Sequence, residues 1–349
     1  MTQNFWEKLK KPIIAMAPMA NVTDAAFRRM FAELGKPDIF WTEFVSVEGL
    51  LSKGREQLLV DFWKSEAERP IVAQIFGSKP EQFEEVTKMI RELGFDGIDI
   101  NMGCPDNGVE KSGAGASLIK MPELACEIIR ATKRGAGGLP VSVKTRLGYR
   151  LTGEMTKWLS TLLKEDLAAL TVHLRTRNEM SDVPAHWDLA PQIVALRDQL
   201  APKTVLLGNG DAATLEEAHT RVKESGMDGV MVGRGMFGNP WFFNEALGGH
   251  APSTHEKLTR MIEHAELFER LYKSNLPRPV RGVAAERPFK NFDIMKKHFK
   301  AYCSGFDEAK ELRIKLMTTD NAAQVREITE AFIIHSKKKE EKNHEADLA

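Results

Sequence analysis

Gly97-Ile98-Asp99-Ile100-Asn101-Met102-Gly103-Cys104-Pro105 reads as a short buried strand, Gly97 to Asn101, that ends in polar and reactive side chains at a Gly-Cys-Pro turn. Seven further runs share this form: Ile13 to Ala17, Ile39 to Val45, Ile71 to Phe76, Val141 to Thr145, Ala169 to His173, Thr204 to Gly208 and Gly229 to Val232. Segments of helical periodicity alternate with them. In Lys79 to Leu93 the residues Phe83, Val86, Met89 and Ile90 recur at helical spacing, and Leu124 to Lys133 follows Pro122 and Glu123. Such alternation indicates repeated βα units around a parallel sheet. Eight runs, several apolar on both faces, predict a closed (β/α)8 TIM barrel of the α/β class, with an open sheet of equal strand number as the alternative.

The βα rhythm stops after Trp241 to Phe243, and Glu256 to Tyr272, Phe289 to Tyr302 and Glu308 to Leu316 then read as helices around a Pro- and Arg-containing connector. The expected organisation is a catalytic barrel over residues 1–250, a small all-helical domain over 251–336, and a charged, frayed tail over 337–349.

The 349 residues allow one large barrel and an appendage, and 42% hydrophobic with 28% charged residues is an ordinary globular composition. Lys plus Arg equals Asp plus Glu at 49 each, so a polyanionic partner has to be met by a local patch. Three scattered cysteines, Cys104, Cys126 and Cys303, argue against a disulfide framework or a zinc site. Met1 to Lys11 holds no apolar run, and no stretch reaches the roughly 18 apolar residues that a membrane span needs. A cytoplasmic monomer without metal or membrane is the expectation.

In a βα barrel the active site forms where the strands end. Here those ends carry Pro18, Met19 and Ala20 after the first strand, Gln74 in the third, Asn101 and Cys104 at the fourth, Lys144 and Arg146 at the fifth, and His173 and Arg175 at the sixth. Asn209, Gly210 and Asp211 follow the seventh, and Gly233, Arg234 and Gly235 the eighth. So many converging polar groups imply a ligand that satisfies them. The two Gly-rich turns let backbone N–H groups approach an anion, with a following helix N-terminus and Arg234 adding positive charge; tight turns alone are the other reading. A phosphate site together with Gln74 and Lys144 fits flavin mononucleotide, Lys144 stabilising the negative charge of the reduced ring. Lys144 also admits readings as an ion-paired lysine or a Schiff-base lysine. Cys104 is either a small buried hydrophobe or a proton donor, since a thiol of pKa about 8.5 is protonated at neutral pH. Cys126 and Cys303 sit in helical patterns and are assigned to packing.

The chain resembles the tRNA-dihydrouridine synthases over roughly residues 12–335. The resemblance rests on Ala15-Met16-Ala17-Pro18-Met19 with Thr23-Asp24 and Phe27-Arg28, Thr42-Glu43-Phe44-Val45-Ser46, Gln74-Ile75-Phe76-Gly77, and Asp99 to Pro105. It continues through Gly113-Ala114-Gly115-Ala116, Val143 to Gly148, Thr171-Val172-His173 with Arg175-Thr176-Arg177, Asn209-Gly210-Asp211 and Gly233-Arg234-Gly235. It implies that NADPH reduces bound FMN, that hydride passes to C6 of a flipped-out uracil in tRNA, and that Cys104 protonates C5. The implied FMN contacts are Pro18, Met19, Ala20, Gln74, Lys144, His173, Asn209, Gly210, Asp211, Gly233 and Arg234. Asn101 is implied to meet the uracil, and Arg175 the uracil or the RNA backbone.

From Leu276 to Leu316 ten Lys or Arg stand against five Asp or Glu, with Phe289, Phe299 and Tyr302 interleaved, which is a phosphate-facing patch or a solvated helix face over an aromatic core. The chain departs from the family pattern at Asp106-Asn107-Gly108, where basic residues are usual, at Leu174, and at Ser181-Asp182-Val183. The competing readings are a barrel flavoenzyme acting on a small molecule, an RNA-binding protein without catalysis, and a flavin-free lyase using Lys144.

Overall fold

Each apolar run forms a strand in the computed structural model, which describes residues 4–244, 252–273 and 289–347. These are β1 (Ile13–Met16), β2 (Phe40–Ser46), β3 (Ile71–Phe76), β4 (Gly97–Met102), β5 (Val141–Arg146), β6 (Ala169–His173), β7 (Val205–Asn209) and β8 (Gly229–Val232). All neighbours pair in parallel, in the order β1-β8-β7-β6-β5-β4-β3-β2. The ring closes where the chain enters β2: Asp38 N–H donates to Ile14 O at 3.0 Å, and Met16 N–H to Ile39 O at 3.2 Å. A closed barrel, not an open sheet, is therefore the fold. The register sets Asn101 beside Lys144, and His173 between Arg146 and Asn209, so residues far apart in sequence meet at one level of the ring.

The helices between the strands are α1 (Ala25–Leu34), α2 (Val47–Leu50), α3 (Arg55–Leu58), α4 (Pro80–Glu92), α5 (Asn107–Lys111), α6 (Pro122–Ala136), α7 (Met155–Leu163), α8 (Ala190–Leu200) and α9 (Leu215–Ser225). Asp24 starts α1 by accepting the Phe27 N–H at 3.0 Å, and α4 and α6 begin on proline, whose missing N–H costs nothing in a first turn. Arg28 in α1 is fully buried against the equally buried Glu68 at 2.6 Å.

The N-terminal end of the barrel is plugged by Trp6, from a 3-10 turn over Phe5–Lys8, which packs among Ile13, Ala15, Trp41, Val72, Leu207 and Met231. A lone tryptophan among polar and charged residues carries no periodicity, so this role has no signal in the pattern of residues.

By its contacts the chain divides into two units, residues 1–236 with 243–249, and residues 237–242 with 250–349. The second holds α10 (Thr254–Tyr272), α11 (Met295–Tyr302), α12 (Ala309–Leu316) and α13 (Ala322–Asp347). Its core includes Leu258, Met261, Phe268, Phe299, Tyr302, Leu312 and Val325. Phe299 and Tyr302 thus pack inward and are not stacking surfaces for RNA, because both fall on the apolar side of α11. Lys297, Lys300, Lys310 and Lys315 are exposed, and Lys296 pairs with Asp293 at 2.5 Å. Arg278, Arg281, Arg287, the Pro- and Arg-containing connector and the boundary at residue 250 lie outside the described residues. The frayed tail expected from residue 337 is instead helical to Asp347. Lys, Glu and Ala are good helix formers, and extending an existing helix carries no new nucleation cost. Among the described residues no helix is long and apolar enough to cross a membrane.

Candidate active site

A cavity of about 810 Å³ opens at the C-terminal ends of the strands, and it gathers Pro18, Met19, Ala20, Asn101, Cys104, Lys144, His173, Arg175, Asn209, Gly210, Asp211, Gly233 and Arg234. Only Gln74, among the residues singled out in the sequence, does not line it. Gln74 is fully buried beside it, and its role there is to hold other groups.

That role is visible in a chain of hydrogen bonds. Gln74 Nε2 donates to Asp99 Oδ2 at 2.6 Å, and Asn101 Nδ2 donates to Gln74 Oε1 at 3.2 Å. Asn101 Oδ1 in turn accepts the N–H groups of Gly103 at 3.1 Å and Cys104 at 2.9 Å. Ionised Asp99 can only accept, which turns the Gln74 amide toward it, and this orientation propagates along the chain to the Cys104 turn. Ser142 Oγ holds the other carboxylate oxygen at 2.5 Å. Burial pushes Asp99 up to about 6, against the hydrogen bonds from Gln74 and Ser142 that favour the ion. Sequence reasoning quoted Asp99 but gave it no role; strand parity was the available signal, since Asp99 shares a face with Asn101 two residues on.

Cys104 is half-buried, and desolvation raises its thiol above the ordinary value, so it is protonated at neutral pH. Its turn is rigid. A Cβ at Gly103 would lie 3.0 Å from the Thr145 carbonyl carbon, while Arg146 Nε donates to Gly103 O at 2.9 Å and Ala116 N–H to Cys104 O at 2.9 Å. Arg146 also lines the cavity, a second contributor that sequence reading noted without a function. Asp106, one of the departures from the family pattern, caps α5 by accepting the N–H groups of Gly108 at 2.8 Å and Val109 at 3.2 Å.

The wall that runs on from β5 to β8 is cationic. Lys144 Nζ donates to Asn209 Oδ1 at 3.1 Å, and the Asn209 amide donates to Met231 O at 2.8 Å. Burial, aided by nearby Arg146, lowers Lys144 to about 8. His173 lies well below its usual range, first from burial and then from Arg146, Lys144, Arg175 and Arg234. It is a neutral imidazole. Arg175 Nη1 sits 3.1 Å from His173 Nε2, and a guanidinium can only donate, so the His173 proton is placed on Nδ1. Arg175 is 2% exposed and also donates to Val183 O at 2.6 Å and to Asp211. Arg234 is mostly exposed and only loosely held by Asp211, at 3.4 Å.

The first turn of α9 is capped by its own Thr214, while Ala213 N–H is taken by Glu217, and β8 runs into a single 3-10 turn, Arg234–Met236. The N–H groups of Gly233, Arg234 and Gly235 make no hydrogen bond among the described residues, and all three residues line the cavity. Gly210 stands at φ +127°, and a Cβ at Gly235 would lie 2.3 Å from Ala212 O, so both turns need glycine to keep this shape. A row of unpaired N–H groups next to an arginine and a lysine fits the phosphate and ring acceptors of a flavin nucleotide.

The sequence model of the family described as Dihydrouridine synthase (Dus) matches residues 15–338. The chain is 43% identical over 333 residues to a "Probable tRNA-dihydrouridine synthase 2" of Bacillus subtilis, covering 95% of this chain and 97% of that one. It is 42% identical to a "Probable tRNA-dihydrouridine synthase" of Staphylococcus epidermidis, with the same coverage. Among solved structures, histamine dehydrogenase from Rhizobium sp. 4-9 superposes with a TM-score of 0.51 at 12% identity, over 67% of this chain and 45% of that one, a likeness of fold.

Proposed function

From the premise that the chain belongs to the dihydrouridine synthase family of flavin-dependent oxidoreductases, we propose that it reduces the C5–C6 double bond of uridines in tRNA, with FMN as cofactor and NADPH as reductant. The observation that carries the reading is the position of Cys104: a protonated thiol on a rigid turn, in one cavity with the adjoining Lys144 and Arg146 and with His173, Arg175 and Arg234.

When bound, the flavin supplies the hydride that enters the uracil at C6. The protein's own groups do the rest. Gly233, Arg234 and the Asn209 to Asp211 turn would hold the phosphate end of the flavin, and Pro18, Met19 and Ala20 would line its ring. Lys144, kept cationic by a nearby anion, offers its two remaining N–H donors where charge accumulates, and neutral His173 donates through Nδ1. Gln74 keeps one amide hydrogen beyond its bond to Asp99. Asn101 has one amide hydrogen left for a uracil carbonyl, and Arg175 belongs to the substrate side of the wall. The Cys104 thiol gives its proton to C5, leaving a thiolate, so hydride and proton together saturate one double bond.

The helical unit, with Lys297, Lys300, Lys310 and Lys315, is assigned to holding the RNA backbone. The protein works as a cytoplasmic monomer. The test is optical: the purified protein should be yellow, bleach with NADPH without oxygen, and regain colour on addition of unmodified tRNA transcript. Recovery with dihydroorotate or an enoate but not with RNA would favour the small-molecule reading.

A further inference from the structure

We propose that a second hollow, beside Tyr149 in the loop that follows β5, holds an unpaired nucleotide of the RNA flanking the uridine in the central cavity. This inference rests on the RNA-modifying reading above. The hollow has a volume of about 520 Å³. β5 ends at Arg146, which lines the central cavity, and Tyr149 follows three residues later, so both open at the same end of the barrel.

Its chemistry is that of a base and a phosphate. Tyr149 and Leu151 give the hollow apolar lining, and Leu151 is 69% exposed. The loop is stiff because the Glu154 carboxylate accepts the N–H groups of Tyr149 at 2.6 Å, Arg150 at 3.2 Å and Leu151 at 3.3 Å. Glu154 is the only acid lining the hollow, and these bonds turn it toward the backbone.

Three cations surround the apolar surface. Lys120, Arg150 and Lys157 are exposed, and none forms a salt bridge among the described residues. Lys120 Nζ lies 4.3 Å from the centre of the Tyr149 ring. Arg177 also lies over the ring, at 5.7 Å, so an RNA base would stack there by displacing the flexible Lys120 side chain, whose ammonium then meets a phosphate together with Arg150 and Lys157. An acidic peptide would use the cations but leave the flat surface unexplained.

The test is direct binding of a fluorescently labelled, unmodified tRNA transcript to the flavin-loaded protein, with flavin content and melting temperature confirming that each variant is folded. The double variant Lys120→Glu/Arg150→Glu should weaken Kd at least about tenfold and make the salt dependence of log K shallower by about one to two. Tyr149→Ala should weaken it about fivefold or more through lost stacking. Wild-type affinity in both folded variants would overturn the proposal, as would tRNA binding no tighter than that of an acidic peptide displacing it from the same site. Because binding is read without turnover, a protein that binds tRNA through this hollow yet makes no dihydrouridine would support the hollow and refute the reaction.

Discussion

Asn101 Oδ1 accepts the Cys104 N–H at 2.9 Å, so the residue assigned to meet the uracil also fixes the turn that carries the acid. Its amide is oriented by Gln74, and Gln74 by Asp99. Asp99→Asn should therefore act at a distance. The new amide can face Gln74 with a donor, reversing the chain, and kcat should fall about tenfold or more with little change in KM for tRNA. The wild type should lose activity as pH falls through about 6, because neutral Asp99 holds the Gln74 amide by a weaker bond than the carboxylate does and, protonated on Oδ2, would oppose it with a donor. The variant should lack this acid limb, and a kcat-pH profile measures both effects.

Replacing Cys104 with Ala should lower the rate of tRNA reduction by about 10²–10⁴-fold, the usual worth of a positioned acid. Bleaching of the flavin by NADPH should persist, since the thiol has no part in that step. Rapid-mixing absorbance separates the two half-reactions.

Gly235→Ala places a methyl group where Ala212 O stands, 2.3 Å away, and forces the turns after β7 and β8 apart. Arg234→Ala removes a charge but no backbone donor. Both should weaken FMN binding, the glycine variant by more than the arginine variant, as followed by fluorescence of released flavin.

Arg28 and Glu68 form a fully buried ion pair, and Arg28 also donates to Thr23 O at 2.7 Å. Glu68→Ala leaves a charged guanidinium without its counter-ion and should destabilise the barrel by about 3–5 kcal/mol. Urea unfolding, read as a shift in midpoint, checks this.

The strands were legible because burial on both faces leaves β-branched runs such as Ile71 to Phe76 that punctuation by Gly and Pro delimits. The cavity lining followed from them, since a barrel puts its chemistry at strand ends. Three things were not legible. Trp6 plugs the barrel from a segment with no pattern. Asp99 acts through two intervening amides: parity along β4 puts it on the face of Asn101, but the link through Gln74 is set by the register of β3 against β4. The anion site proposed at Gly233 to Gly235 rests on backbone N–H groups left over by a short 3-10 turn, which the Gly-rich sequence does not distinguish from a tight turn.

The central claim is tested most directly by incubating the purified protein with NADPH and unmodified tRNA, digesting the RNA to nucleosides and measuring dihydrouridine by mass spectrometry, with Cys104→Ala in parallel. The account expects dihydrouridine, a mass gain of two hydrogens on uridine, from the wild type and far less from the variant over the same time. Equal yields from both would contradict Cys104 as the acid, and no product from a yellow protein that oxidises NADPH would contradict tRNA as the substrate.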